Sequence, residues 1–274
     1  MDSIAFVKGH GTRNDFVLLP DADGTLELTA ELAIALCDRR SGIGADGVLR
    51  VVRSAADPDA VAMAQQATWF MDYRNADGSL SQTCGNGLRV FARYLLDAGL
   101  VEPGQHTIAT RAGVVTVWAD LDGDITVDMG APVISAGSTA VVDGHICEGV
   151  AVSMGNPHLV CVTDIDVASL DLTTMPDVDV LVFPEGVNVE FVNIVGERHA
   201  IMRVHERGSG ETQSCGSGAC AVVAALAAID GTNTGEYVVD VPGGRLIVSF
   251  DDAGHLLLRG PAVLVAEGRF RVPG

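Results

Sequence analysis

Lysine is nearly absent from this chain. Lys8 stands alone among 274 residues, and lysine and arginine together number 17 against 36 aspartates and glutamates, a formal net charge of -19. Phosphate recognition needs a clustered basic surface, so no nucleic-acid partner is expected. A field of this sign favours cationic or zwitterionic small molecules over polyanions. The lone lysine falls in the predicted first strand, which leaves no candidate for a pyridoxal Schiff base. No apolar run approaches the ~18 residues of a membrane span, and residues 1–16 lack the basic-then-apolar order of a secretory signal. The expectation is therefore a cytoplasmic protein with no membrane partner. Cys37, Cys84, Cys147, Cys161, Cys215 and Cys220 show no CxxC spacing, so neither a disulfide framework nor a zinc ribbon is expected, and no metal. P-loop, HExxH and GxSxG signatures are missing too. Residues Gly42-Ile43-Gly44-Ala45-Asp46-Gly47 are glycine-rich, but they lack dinucleotide-binding spacing and nothing around them reads as a βαβ unit. The chemistry is expected to need no cofactor.

What the chain does have is a duplication. Cys84-Gly85-Asn86-Gly87 and Cys215-Gly216-Ser217-Gly218 each place a thiol at the start of an Ala/Leu-rich helical stretch. Counting back from each cysteine, Gln82 and Gln213 fall 2 residues before it, Asn75 and Glu206 fall 9 before, and Met71 and Met202 fall 13 before. Further upstream, Asn14-Asp15-Phe16-Val17 echoes Asn156-Pro157-His158-Leu159, and Gly44-Ala45-Asp46 echoes Gly186-Val187-Asn188. A repeat of this size predicts two similar domains related by a pseudo-twofold axis, with the site in the cleft between them.

The rest of the pattern fills in those domains. With 48% hydrophobic residues the chain can bury substantial cores. Short β-branched runs broken by Gly, Asp and Pro predict many antiparallel strands, among them residues 114–118, 125–129, 150–154, 159–162, 187–192, 201–205, 237–241 and 246–250. Helical patterns cover residues 29–37, 88–98 and 218–229, the last apolar nearly all round and hence buried. The expected fold is α+β: two domains, 1–130 and 131–261, each a strongly curved, mostly antiparallel sheet wrapped around a central helix, with a tail, 262–274, returning to the first. Residues 55–68 read as an insertion with no assigned role.

A cysteine at a helix N-terminus faces unsatisfied N–H groups and the positive end of the helix dipole, which is expected to lower its pKa. Two in matching settings suggest one thiolate removing a proton while the other thiol supplies one from the opposite face. The glycines around each cysteine leave amides open to a carboxylate. Asn14, Asn75, Asn156 and Asn188 stand in loop-like settings and Arg207 offers a fork for a second carboxylate, so these residues are expected to line a site for a polar amino acid. His158 and Glu206 are candidates to tune the thiols.

With Lys8-Gly9-His10-Gly11 ahead of Asn14-Asp15-Phe16, Gly42 to Gly47, Asn75-Ala76-Asp77-Gly78-Ser79, Cys84 to Gly87, Gly155-Asn156-Pro157-His158, Gly186-Val187-Asn188, Glu206-Arg207-Gly208 and Cys215 to Gly218, the chain resembles the diaminopimelate epimerases from residue 4 to about 262. The resemblance implies cofactor-free, two-base interconversion of LL- and meso-diaminopimelate for lysine and peptidoglycan synthesis. It implies Cys84 and Cys215 as the acid/base pair. Asn14, Asn75, Asn156, Asn188, Glu206 and Arg207 would hold the distal end of the substrate, and Gly85, Asn86, Gly216 and Ser217 would meet the reacting carboxylate. His158 and Glu206 match thiol-modulating positions, and a homodimer is expected. Gly47 departs from the pattern, since many relatives carry Gln there; water or another residue must fill the gap. A proline or hydroxyproline racemase-like enzyme is the nearest alternative, and a thiol redox switch a more distant one.

Overall fold

The computed structural model describes residues 3–121 and 123–272, and it divides into two compact units. Unit 1 comprises the described residues of Met1–Val127 and Pro261–Gly274; unit 2 is Asp128–Gly260.

Unit 1 holds β1 (Ser3–Gly11), β2 (Asn14–Pro20), α1 (Ala30–Cys37), β3 (Gly47–Arg53), β4 (Trp69–Asn75), α2 (Gly85–Asp97), β5 (Gly104–Thr110), β6 (Gly113–Ala119) and β7 (Ile125–Asp128). Unit 2 holds β8 (Val133–Val142), β9 (His145–Ser153), β10 (Pro157–Val162), β11 (Asp177–Val178), β12 (Asn188–Gly196), β13 (His199–Glu206), β14 (Gly210–Thr212), α3 (Gly216–Ile229), β15 (Glu236–Val241), β16 (Gly244–Phe250) and β17 (Leu256–Gly260). The chain then returns to unit 1 as β18 (Val263–Arg271), which runs antiparallel to β1 from Ser3↔Arg271 to His10↔Val263.

The two units repeat one topology. In unit 1 the pairings β1–β2, β3–β4, β5–β6 and β6–β7 are antiparallel, while β2–β3 and β4–β5 are parallel. In unit 2, β9–β10, β12–β13, β15–β16 and β16–β17 are antiparallel, while β10–β12 and β13–β15 are parallel. Strand β18 completes unit 1 as β8, paired to β9, completes unit 2. Each second parallel crossover runs through the helix that a cysteine caps, because a parallel connection needs a dozen or more residues to return.

Helix α3 packs against β9, β10, β12, β16 and β17, and 216 and 218–227 are buried. Its alanines let Val192, Met202, Val204, Tyr237, Val239 and Leu246 close over it in one core. Each fully buried aliphatic side chain contributes about 1.5–3 kcal/mol of transfer free energy. Helix α2 is less uniform. Leu88, Val90, Phe91, Leu95 and Leu96 are buried, and so are Arg89, bonded to Thr12 Oγ1 at 3.1 Å, and Arg93, whose guanidinium reaches the carbonyls of Leu121 (2.9 Å) and Gly123 (2.6 Å).

One expectation changes, and the insertion at 55–68 gains detail. The crossover β2–α1–β3 is a βαβ unit, with Thr29 capping α1 through Leu32 N–H at 3.2 Å. Residues 42–47 lie after the helix, at its C-terminal end, and so cannot offer the N–H groups that cradle phosphate at a helix N-terminus. The 55–68 segment forms short 3-10 turns at Ser54–Ala56 and Val61–Met63. Buried Arg50 ties it down, bonding Asp57, Asp72 (2.8 Å), Asp21 (3.4 Å) and the Leu26 carbonyl (2.7 Å), while Arg111 reaches Asp59 and Asp72.

Candidate active site

In unit 1, Cys84 is the N-cap of α2, its backbone extended (φ -154°, ψ 120°) and its sulfur accepting from Gly87 N–H at 3.4 Å. The thiol donates to Asn14 Oδ1 at 3.8 Å, and Asn86 Nδ2 donates to the same oxygen at 3.1 Å. Asn14 is held from behind, its Nδ2 donating to Asp46 Oδ2 at 2.7 Å. Asp46 also accepts from Asp15 N–H (3.0 Å) and Arg39 (2.8 Å). Burial pushes the Asp15 carboxyl up, but bonds from Arg39 and Lys8 outweigh it and hold it at about 2. Asp46 goes the other way, because burial exceeds the help from Asn14 and the Asp15 amide. Asn75 closes β4 opposite Gly47, and its side chain bonds Ser79 Oγ at 3.0 Å within its own turn. The structure thus gathers Cys84, Asn14 and Asn86, backed by Asp46, which sequence reasoning had not singled out.

In unit 2, Cys215 caps α3 in the same way, with its sulfur 3.3 Å from Gly218 N and 3.6 Å from Ser217 Oγ. Asn156 Nδ2 donates to Ser217 Oγ at 3.4 Å. Its Oδ1 lies 3.1 Å from His158 Nε2, and His158 Nδ1 lies 2.6 Å from Glu190 Oε1. Asn188 donates to the Pro157 carbonyl (3.0 Å) and accepts from Arg207 N–H (2.9 Å). The Arg207 guanidinium bonds the Glu185 carbonyl at 3.2 Å and is otherwise directed to solvent. Glu206 accepts from Thr212 Oγ1. Cys215, Ser217, Asn156 and His158 therefore form one bonded group, with Glu190 behind it. The sequence did carry a signal for Glu190, a lone carboxylate within the apolar run Val187 to Val192.

The thiols differ in exposure. Cys84 is half-buried, whereas Cys215 is 5% exposed. A helix N-terminus was expected to lower both. For Cys215 the opposite holds: burial, then Glu206 and Glu190, push the thiol well above its ordinary value, against bonds from Ser217 and the Gly218 amide. The balance follows from magnitudes, since a helix end contributes at most about 2 kcal/mol while full desolvation moves a group by about 3–5 pH units. Burial also raises Glu206, partly offset by Thr212.

The glycines of the two motifs are not equivalent. A Cβ on Gly218 would meet Glu190 Oε1 at 2.7 Å and Cys215 Sγ at 3.2 Å, whereas one on Gly87 would make contacts of 3.4–3.6 Å. Strand register also corrects the repeat by one residue. Phe16 pairs with Gly47 as His158 pairs with Asn188, so Asn188 occupies the place of Gly47 rather than of Asp46. Among the described residues no group of three or more His, Cys, Asp or Glu side chains could hold a metal ion, and no helix is long and apolar enough to cross a membrane.

Solved structures share this fold. A PhzF-family phenazine biosynthesis protein from Bacillus anthracis aligns over 99% of this chain and all of its own at TM-score 0.75 and 20% identity. A hydroxyproline epimerase from Agrobacterium vitis aligns over 98% of this chain and 92% of its own at TM-score 0.68 and 14% identity. Those identities speak for the fold alone. Taken with the sequence relatives, fold and thiol-capped helices define an isomerase of the epimerase type. The chain belongs to the diaminopimelate epimerase family, whose model matches residues 6–135 and 150–265. The diaminopimelate epimerase of Streptomyces coelicolor is 54% identical over 97% of this chain and 95% of its own, and that of Thermobifida fusca is 50% identical over 97% and 98%.

Proposed function

We propose that this protein epimerises LL-diaminopimelate to the meso form without a cofactor, in lysine and peptidoglycan precursor synthesis, with Cys84 and Cys215 as its two proton-transfer groups. The observation that carries the reading is the thiol-capped buried helix, present once at the equivalent point of each of two topologically equivalent units. Each unit supplies one thiol, and inversion at carbon requires two, so both serve a single substrate.

In one turnover a thiolate takes the Cα proton, the electron pair passes into the adjacent carboxylate, and the other thiol returns a proton to the opposite face. Thiol and thiolate have then exchanged states, and charge balances. An amino-acid Cα–H is far less acidic than a thiol, so the carbanionic state must be stabilised by dipoles fixed before reaction and by exclusion of water. The first-turn amides of α2 and α3 have no acceptor within their helices and are suited to that task. Gly85, Asn86, Gly216 and Ser217 are assigned to the reacting carboxylate, and Asn14, Asn75, Asn156, Asn188, Glu206 and Arg207 to the distal amino-acid end. His158 and Glu206 tune the Cys215 thiol. The family resemblance extends the reading to a cytoplasmic homodimer.

The test is incubation of reduced protein with LL-diaminopimelate in deuterium oxide, with L-proline and trans-4-hydroxyproline in parallel. Cα deuteration and conversion to the meso form with diaminopimelate only are expected, both abolished in Cys84→Ala and Cys215→Ala. Exchange with proline would move the substrate assignment to a racemase-like enzyme, and no exchange with any of the three would overturn the epimerase reading.

A further inference from the structure

Glu190 is the one carboxylate in the α3 core that the reaction above leaves unused. It is 0% exposed, it sits on β12 between Val160 of β10 and Val204 of β13, and its Oε2 has no hydrogen-bond partner. An ionised carboxylate in such a place costs several kcal/mol unless it is paired. His158 supplies the pairing at 2.6 Å. Because Asn156 turns its Nδ2 to Ser217, its Oδ1 faces His158 Nε2, so Nε2 carries a hydrogen. Oε1 takes the His158 contact while Oε2 stays without a partner, so the carboxylate is offset at one oxygen only.

That oxygen points toward the start of α3. An ideal Cβ on Gly218 would lie 2.7 Å from Oε1 and 3.2 Å from Cys215 Sγ, so oxygen and sulfur lie within about 6 Å of each other across a bare glycine. We propose that Glu190 is a positioning residue that adds to burial in holding the proton on Cys215 in the free protein, with His158 as its counter-charge and the missing side chain of Gly218 as the opening through which it acts. This deepens the epimerase reading by naming which thiol rests as proton donor, and it rests on that reading only for the meaning of the donor. The groups that face Glu190 are His158 and Cys161 on β10, Glu206 on β13 and Cys215 at the start of α3. Of these only His158 offsets it. A full charge at that range, at an effective dielectric of about 20, moves a neighbouring titration by on the order of one to two pH units. Pairing with His158 leaves about one.

The experiment is the rate of Cys215 alkylation by iodoacetamide at fixed pH between 7 and 8.5, where the fold is stable, followed by peptide mass spectrometry, with Cys215→Ser as the blank and no substrate present. Glu190→Gln keeps the volume and a hydrogen bond to Nδ1 while removing the acid. It is expected to raise the Cys215 alkylation rate about tenfold, the gain in thiolate at a given pH from a shift of one pH unit, and to leave Cys84 unmoved. Glu190→Asp, which keeps the charge but withdraws it, is expected to fall between. An unchanged Cys215 rate in Glu190→Gln overturns the proposal, as does an equal rise at Cys84. If Glu190→Gln fails to fold by circular dichroism, the Asp variant decides on the same criterion. No substrate enters this measurement, so its result stands or falls separately from the diaminopimelate assay.

Discussion

The ring of Tyr73 occupies the space that a side chain at Gly47 would enter. A Cβ there would come within 2.5 Å of Tyr73 Cε2 and 2.7 Å of the Arg74 carbonyl. Tyr73 is 8% exposed and packs edge-on against Phe16, with ring centroids 5.8 Å apart. The space that a glutamine at position 47 would need is therefore taken by an aromatic from the neighbouring strand. Gly47→Gln is expected to lose about 1–3 kcal/mol by overpacking, read as a lower urea midpoint. Adding Tyr73→Ala should recover only part of that loss, because the Arg74 carbonyl remains in the way; full additivity of the two changes would refute the contact.

The two motif glycines should respond differently to alanine. In a helix, alanine is favoured over glycine by about 1 kcal/mol, and at Gly87 nothing approaches closely enough to cancel that gain. At Gly218 the new methyl collides with Glu190 and the Cys215 sulfur. Gly87→Ala should keep or raise the melting temperature, and Gly218→Ala should lower it by several degrees. Equal effects at both sites would show that the crowding around Cys215 does not bear on stability.

Arg50 bonds Asp21, Asp57 and Asp72 in a buried cluster. Arg50→Met leaves Asp21 and Asp57 without their cation while Asp72 keeps Arg111, and breaking a buried ion pair from one side costs about 3–5 kcal/mol. Proteolysis of native protein should then nick 55–68 first, since Asp57 anchors that segment. Cleavage starting elsewhere would argue against Arg50 as its tether.

Alkaline pH should unfold the protein early. Burial drives the Cys37 and Cys161 thiols up to about 12, and Cys215 also lies well above its ordinary value. A thiol raised in the folded state binds more protons there than when unfolded. Its contribution is fully present below the unfolded value near 9 and is lost as pH rises toward 12. Urea midpoints should be level from pH 7 to 8.5 and fall steeply between 9 and 11. Cys37→Ala with Cys161→Ala should flatten that fall, and an unchanged slope in the double variant would exclude these thiols as its cause.

Much of this was legible along the chain. Periodicity placed the three helices because their apolar stripes and caps are local. Helix α2 begins at Gly85 and α3 at Gly216, a few residues before the apolar pattern, since glycine, asparagine and serine carry no hydrophobic signal. The repeat was readable because equal spacing survives where side chains diverge. Its register was misread by one residue for a physical reason. Gly44 and Gly186 both adopt φ of 80°, so the turns match, but the loop from that glycine to the strand is one residue longer in unit 1. Two parallel pairings per unit escaped notice because a parallel partner is chosen by the sheet, not by its neighbours in sequence.

By itself the sequence determined the duplicated thiol-capped helices, the asparagines near them and the strongly acidic charge balance, all of which follow from residue type and spacing. Only the tertiary structure decided the chemistry of Cys215. A thiol's proton affinity depends on the water and charge around it, and strands β10, β12 and β13 bring His158, Glu190 and Glu206 to one helix end from positions 9 to 57 residues away in the chain. Desolvation there outweighs the helix dipole, a contest whose terms exist only once the chain has folded.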